Sequence, residues 1–175
     1  MDIRCWMAMS LVGLWSLSLL TIKSQGYLQT ESAWDNMSSS EIEAITSVLH
    51  AYGTALKERN VKETVALYTS DGVIMPPHFS ASAGSQALIK TYERIFNSIQ
   101  LTITFDIDEI VLMSPDWAFA RTTAEGTKTM LQTQTSEPHS NQELFIMKKE
   151  DGSWKIARYA FSTMKPLVQD GIRRS

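Results

Sequence analysis

Residues Asn141 to Phe161 read NQELFIMKKEDGSWKIARYAF, two runs of alternating apolar and polar side chains joined at Glu150-Asp151-Gly152. Alternation with period two sends successive side chains to opposite faces of a strand. An Asp-Gly pair supplies the positive φ angles that a tight hairpin turn requires. The stretch therefore predicts a closing β-hairpin with one face buried, and the rest of the chain has to supply what covers that face.

Upstream the same period continues. Leu101, Ile103, Phe105 and Ile107 face one way, and Thr102, Thr104, Asp106 and Asp108 the other. The apolar run from Ile110 to Met113 extends this strand to a turn at Ser114-Pro115-Asp116, and Asp106, Asp108 and Glu109 read as a solvated strand edge. From Trp117 to about Met130, Trp117, Phe119, Arg121, Thr123 and Glu125 alternate with Ala118, Ala120, Thr122 and Ala124. The polar segment QTQTSEPHS, residues 132–140, reads as a loop leading into the hairpin.

Before the strands the period is helical. Ser40-Glu41-Ile42-Glu43 has the form of a capping box, followed by Ile42, Ile45, Leu49, Tyr52 and Leu56 on one face to about Arg59. Asn60 suits the left-handed residue that ends a helix. A second, short helix carries Val61, Val65 and Tyr68, and Ser70-Asp71-Gly72 breaks the chain before a strand at Val73-Ile74-Met75 that Pro76-Pro77 stops. After a loop from His78, Ser85 reads as the cap of a third helix with the stripe Leu88, Tyr92, Ile95, Phe96 and Ile99. Helices first and a meander afterwards predict an α+β fold with three N-terminal helices packed on one antiparallel sheet.

The chain has 175 residues, 43% hydrophobic and 20% charged, which suits one globular domain. A formal charge of −3 with scattered Lys and Arg argues against nucleic acid as a partner. The single cysteine, Cys5, allows neither an internal disulfide nor a cysteine zinc site. Three separated histidines, His50, His78 and His139, show no ligand spacing, so neither a metal nor another cofactor is expected.

Residues 5–22, CWMAMSLVGLWSLSLLTI, form an apolar run, and Ser24-Gln25-Gly26 places small residues where a signal peptidase reads. Residues 1–26 therefore read as a secretory signal peptide, with an uncleaved membrane anchor as the alternative; a cytoplasmic location follows if the segment is neither. Residues 27–39 are a linker with an N-glycosylation triplet at Asn36-Met37-Ser38, residues 40–166 the domain, and residues 167–175 a polar tail.

The stretch ALKERNVKETVALYTSDGVIMPP resembles the opening of the cone-shaped fold shared by nuclear transport factor 2 (the NTF2-like superfamily), ketosteroid isomerase and SnoaL-type cyclases. GSQALIKTYERIF and ELFIMKKEDGSWKIARYAFS look closer still to the SnoaL-like (DUF4440) branch with SgcJ and EcaC. The resemblance spans roughly Glu41 to Pro166 and implies a strongly curved sheet around a pocket. The superfamily includes isomerases, dehydratases, cyclases, binding modules and association domains, and fold does not fix function.

The resemblance implies an acid from the first helix, a carboxylate base near the end of the first strand and a second acid on a later strand. Tyr52 falls at the first position. The second falls in Ile74-Met75-Pro76-Pro77, which has no carboxylate, and the third at Glu143 or Leu144. Gln142 stands where related sequences carry an arginine.

Tyr52, His78 and Glu143 are the catalytic candidates, each with a plainer reading: a core tyrosine, an exposed loop histidine and, for Glu143, a cross-strand partner of Arg158. Arg121, Arg158, Phe119, Met75 and Tyr92 are the substrate-contacting candidates. The face carrying Arg121 and Glu125 is either a solvated or dimer-covered surface or the wall of a polar cavity. Arg158, sharing parity with Trp154 and Ile156, either pairs with Glu143 or Glu125 or binds a substrate anion. Met75, Met113, Met130 and Met147 read as gap-filling core. Two functions follow: a metal-free acid–base isomerase, dehydratase or cyclase for a small hydrophobic polyketide- or terpenoid-like molecule, or a non-catalytic module that binds a ligand or forms a homodimer.

Overall fold

Three helices precede four long strands, in the order the periodicities predict. The structure, a computed structural model, describes residues 38–164 and the backbone of two short strands, Val168–Gln169 (β7) and Ile172–Arg173 (β8), which pair with each other. The signal or anchor segment, Cys5 and the Asn36 triplet lie outside the described residues. The elements are α1 (38–58), α2 (Val61–Ala66), β1 (Tyr68–Met75), β2 (Ser82–Ala83), α3 (Ser85–Ser98), β3 (Ile99–Ser114), β4 (Trp117–Met130), β5 (Thr135–Glu150) and β6 (Ser153–Thr163). Among the described residues no helix is long and apolar enough to cross a membrane.

The helix ends differ from the local expectations by one or two residues. Residues 38–40 are already helical, so Ser40 lies inside α1 rather than capping it. Arg59 takes the left-handed conformation (φ 56°) predicted for Asn60, and Asn60 instead caps α2 by accepting the Glu63 N–H. Gly84, at φ 80°, holds the cap position of α3 without a side-chain bond, and Ser85 is the first helical residue.

β1–β6 form one curved sheet in the order β2-β1-β6-β5-β4-β3. It is mixed rather than wholly antiparallel: β1 runs parallel to β6, because the chain returns to that side of the sheet only after α3 and the whole meander. β1 also passes straight through Ser70-Asp71-Gly72. Its register against β6 shifts between Tyr68 and Val73, and a Cβ on Gly72 would lie 2.8 Å from the Tyr68 Cβ. The expected loop at 132–140 shrinks to a turn at 131–134, and β5 starts at Thr135. Polar cross-strand pairs sustain this exposed hairpin: Lys128 with Glu137 at 2.6 Å, and the hydroxyls of Thr129 and Ser136 at 2.8 Å.

The helices cover one face of the sheet, and the side chains there form cross-strand rows. Leu112, Ala118, Met147, Ile156 and Tyr68 make one row, and Ile110, Ala120, Phe145, Tyr159 and Ile74 the next. The following two are Ile107–Thr122–Glu143–Phe161 and Phe105–Ala124–Asn141–Thr163. On β4 every inward residue is small, so the helices approach closely and aromatic side chains from α1, α3, β5 and β6 fill the space. The Glu41 carboxylate pins α1 to the closing hairpin, taking the Lys149 ammonium at 2.7 Å and the Trp154 indole N–H. These two donors, Lys149 foremost, hold the Glu41 carboxyl below its usual range.

Candidate functional site

Tyr52 projects from the apolar stripe of α1 into the centre of the cone and is 1% exposed. The rings of Tyr68, Tyr92, Phe105, Phe145 and Tyr159 surround it edge-on, with centroids 5.5 to 6.5 Å away. The edge-to-face geometry lets each ring place its positive edge against a neighbour's negative face. The polar ends are linked as well. The Tyr92 hydroxyl shares a 2.7 Å hydrogen bond with Tyr52 and another 2.7 Å bond with Tyr68, so α1, α3 and β1 meet at one oxygen. Burial pushes all three phenols, and that of Tyr159, well above the ordinary tyrosine range. They stay protonated and serve as donors.

Glu143 enters the same interior from β5. Tyr159 donates to its Oε1 at 2.6 Å and Thr122 to its Oε2 at 2.6 Å. The residue is 6% exposed, and burial pushes the carboxyl up to about 7 against the opposing pull of the two donors. A carboxyl in this range exchanges a proton near neutral pH, which an exposed glutamate does not. Two residues along the same face, Asn141 is 4% exposed and its Nδ2 lies 3.0 Å from Nε2 of His139.

A family model described as a SnoaL-like domain matches residues 49–159, a span that takes in Tyr52, Tyr68, Tyr92, Thr122, Glu143 and Tyr159. The chain belongs to the SnoaL-like family. Among solved structures, a ketosteroid isomerase-like protein from Erwinia carotovora atroseptica is similar at 37% identity and a TM-score of 0.70, over 72% of this chain and 98% of that one. A putative scytalone dehydratase from Novosphingobium aromaticivorans shares the fold at 22% identity and TM-score 0.65, over 75% of this chain and 89% of its own. So does a hexachlorocyclohexane dehydrochlorinase, at 11% identity and TM-score 0.64, over 81% and 97%. A comparison with curated proteins returned no match.

In this SnoaL-like domain the site candidates from the sequence divide into two groups. Tyr52, Tyr92 and Glu143 converge on the cone interior. Arg121, Phe119 and Arg158 do not, because they lie on the opposite face of the sheet. Arg121 is tied to Glu109, with Asp108 at 3.9 Å. Arg158 contacts Asp71 at 3.2 Å rather than Glu143 or Glu125. The reason is a bulge: the β5–β6 register shifts between Ile146 and Met147, which leaves Ala157 unpaired and reverses the parity after it. Trp154 and Ile156 then face inward, Arg158 outward and Tyr159 inward again.

Met75 is 40% exposed, as are Met113 and Met130 to similar degrees, so of the four methionines read as core only Met147 is buried. His78 sits exposed in the loop after β1 at φ 67°. His50 lines a surface groove of about 540 Å³ between α1 and β3 with Ile42, Phe105 and Asp106. A second groove, of about 620 Å³, runs along α2 and α3 past Val61, Val65, Ile89 and Lys155. Among the described residues no three His, Cys, Asp or Glu side chains gather as metal ligands.

Tyr68, Thr122, Asn141 and Tyr159 were not among the candidates. Tyr68 reads as the end of α2 but begins β1, and Thr122 and Asn141 are ordinary alternation residues. Only a bulge in WKIARYAF, where Ile156, Ala157, Tyr159 and Phe161 offer an apolar set that breaks strict alternation, could have turned Tyr159 inward.

Proposed function

We propose that this SnoaL-like domain holds a small hydrophobic molecule, polyketide- or terpenoid-like, and moves protons on it in an isomerisation, dehydration or cyclisation. Glu143 is the observation that carries the reading: a buried carboxyl pushed up to about 7 and bonded to Tyr159 and Thr122. In such a reaction the carboxylate form takes a proton from carbon, the developing negative charge moves to a substrate oxygen, and a tyrosine hydroxyl donates a hydrogen bond to that oxygen. The proton then returns at a different carbon or leaves with a hydroxyl as water. Tyr52 and its bonded partner Tyr92 are fixed before the reaction, which is what electrostatic stabilisation requires. With no carboxylate in Ile74-Met75-Pro76-Pro77, Glu143 carries both the acid and the base role.

The test is a turnover screen of aromatic and alicyclic hydroxy-ketones with the native chain, followed by variants. Glu143→Gln is expected to lower kcat by about 10²- to 10⁴-fold and to abolish the pH dependence near neutrality. Tyr52→Phe should cost less, through the oxyanion alone. Native turnover in both variants would remove the assignment.

A second reading, a non-catalytic binding module working as a dimer, is favoured by the tyrosine hydroxyls satisfying one another and by the outer face of the sheet. There Val111, Phe119, Ile146 and Arg158 share one cross-strand row; Val111 is exposed in it, Phe119 and Ile146 are half-buried, and Met113, Trp117 and Leu144 are exposed on the same sheet. An apolar patch of this kind on a curved sheet is suited to a second copy of the chain. Phe119 and Arg121 would then be interface residues. The native chain is expected to sediment as a dimer at micromolar concentration, and Phe119→Asp as a monomer. A native monomer would dismiss the dimer.

A further inference from the structure

We infer that the groove between α1 and the outer edge of β3 docks an extended, basic segment of a partner polypeptide, which joins the sheet as an added strand. The inference is independent of any reaction at Glu143. β3 closes the sheet on one side and pairs only with β4, so one row of its backbone N–H and C=O groups faces away from the ladder. The groove, of about 540 Å³, follows that row. Consecutive strand residues point to opposite faces, yet Phe105, Asp106 and Ile107 all line it, and only the edge of a strand presents both parities at once. The opposite wall is α1, through Ile42, Thr46 and His50, which are spaced by four and so share one side of the helix.

Size and charge choose the occupant. The strand wall runs from Phe105 to Ile110, about 17 Å, and the helix wall from Ile42 to His50, about 12 Å, which leaves room for about four or five extended residues. The groove ends where the two elements close together. There a Cβ on Gly53 would lie 3.2 Å from the Phe105 ring, and the Gln100 amide donates to the Lys57 carbonyl at 3.0 Å and the Leu101 carbonyl at 3.2 Å. Ile42, Phe105, Ile107 and Ile110 offer apolar contact to alternate side chains of a guest strand. Asp106 and Glu109 are also in the lining, and no Lys or Arg is. Arg121 is bonded to Glu109, whereas Asp106 has no ion-pair partner among the described residues. A second copy would bring another Asp106, Asp108 and Glu109 against the first, and like charges on neighbouring strands repel. The bulge between Ile107 and Glu109 also bends the edge away from long, flat pairing. A short guest with Lys or Arg between apolar residues meets neither obstacle. Main-chain bonds to an edge strand, with pockets for alternate side chains, are how strand addition recognises a peptide.

The probe is a fluorescent octapeptide of alternating Lys and Val, titrated with the full chain and followed by anisotropy. The native chain is expected to bind it at least about tenfold more tightly than the Glu-Val counterpart, because the groove is lined by carboxylates. It should also bind it at least about tenfold more tightly than the same peptide methylated at every backbone nitrogen, which cannot donate to β3. Thr46→Arg fills the groove from the α1 side and should abolish binding at native Tm. Asp106→Lys, at an exposed position, should remove the preference for Lys over Glu, and it decides the matter if Thr46→Arg folds poorly. No binding of the Lys-Val peptide, equal binding of the methylated one, or binding that a well-folded variant leaves unchanged overturns the inference. Self-association of the native chain that Thr46→Arg disrupts, without peptide binding, assigns the groove to a second copy and overturns it too.

Discussion

Tyr92→Phe is expected to lower the unfolding free energy by about 2–4 kcal/mol, far more than deleting one hydroxyl usually costs. The Tyr92 oxygen is the hub between Tyr52 and Tyr68, at 2.7 Å from each, and all three residues are buried. Its removal leaves two buried hydroxyls without that partner, and each unsatisfied group costs about 1–3 kcal/mol. Tyr52→Phe leaves the Tyr92–Tyr68 bond intact and should cost about 1 kcal/mol. Replacing all three tyrosines by phenylalanine should be less destabilising than Tyr92→Phe alone, because no orphan remains; couplings of this sign are normal for residues in one network. Urea unfolding of the four chains measures this. A Tyr92→Phe no less stable than Tyr52→Phe would show that the three hydroxyls do not form one network.

Stability of the native chain should fall as pH rises from about 4.5 to about 7, opposite to the usual acid-denaturation trend. Glu143 titrates at about 7 in the folded protein against an ordinary value of 4.5. Below 4.5 both states hold the proton and folding is not penalised. Between the two values the unfolded chain has released the proton while the folded chain retains it, so the unfolded state binds fewer protons and stability declines with pH. The decline amounts to about 3 kcal/mol and levels off above pH 7, once both states are ionised. Other groups titrate as well, so the decisive quantity is native minus Glu143→Gln. Glutamine keeps an acceptor for Tyr159 and can donate to Thr122, but it carries no charge. The variant should therefore gain on the native chain across that window and exceed it at pH 8. A difference that stays flat with pH would mean that the Glu143 carboxyl is not perturbed by burial.

The placement of strands and helices is local information, and most of it is legible in the chain. The Asp-Gly turn at residues 151–152, the alternation on either side of it and the stripe from Ile45 to Leu56 each follow from a few neighbouring side chains. Local chemistry is ambiguous in places. Residues 135–140 are hydrophilic enough to read as loop, yet they pair with β4 because an exposed hairpin tolerates polar residues on both faces. Tyr52 and Glu143 are singled out by resemblance to a family; that both are buried in the interior is a matter of the tertiary structure.

What the chain alone could not decide is which face each β6 residue takes and which tyrosines meet. Strict alternation sends Arg158 inward with Trp154; the bulge at Ala157 sends it to Asp71 and turns Tyr159 onto Glu143. That bulge is a property of two strands paired together, and neither strand encodes it separately. The Tyr52–Tyr92–Tyr68 chain joins residues 40 and 24 positions apart. The value of about 7 for Glu143 comes from the surrounding protein that excludes water. Periodicity and turn chemistry act over a few residues, so the sequence by itself determined the elements and their order. Hydrogen bonding and desolvation act between elements, so only the tertiary structure decided that Glu143 is buried, bonded to Tyr159 and Thr122, and raised by desolvation.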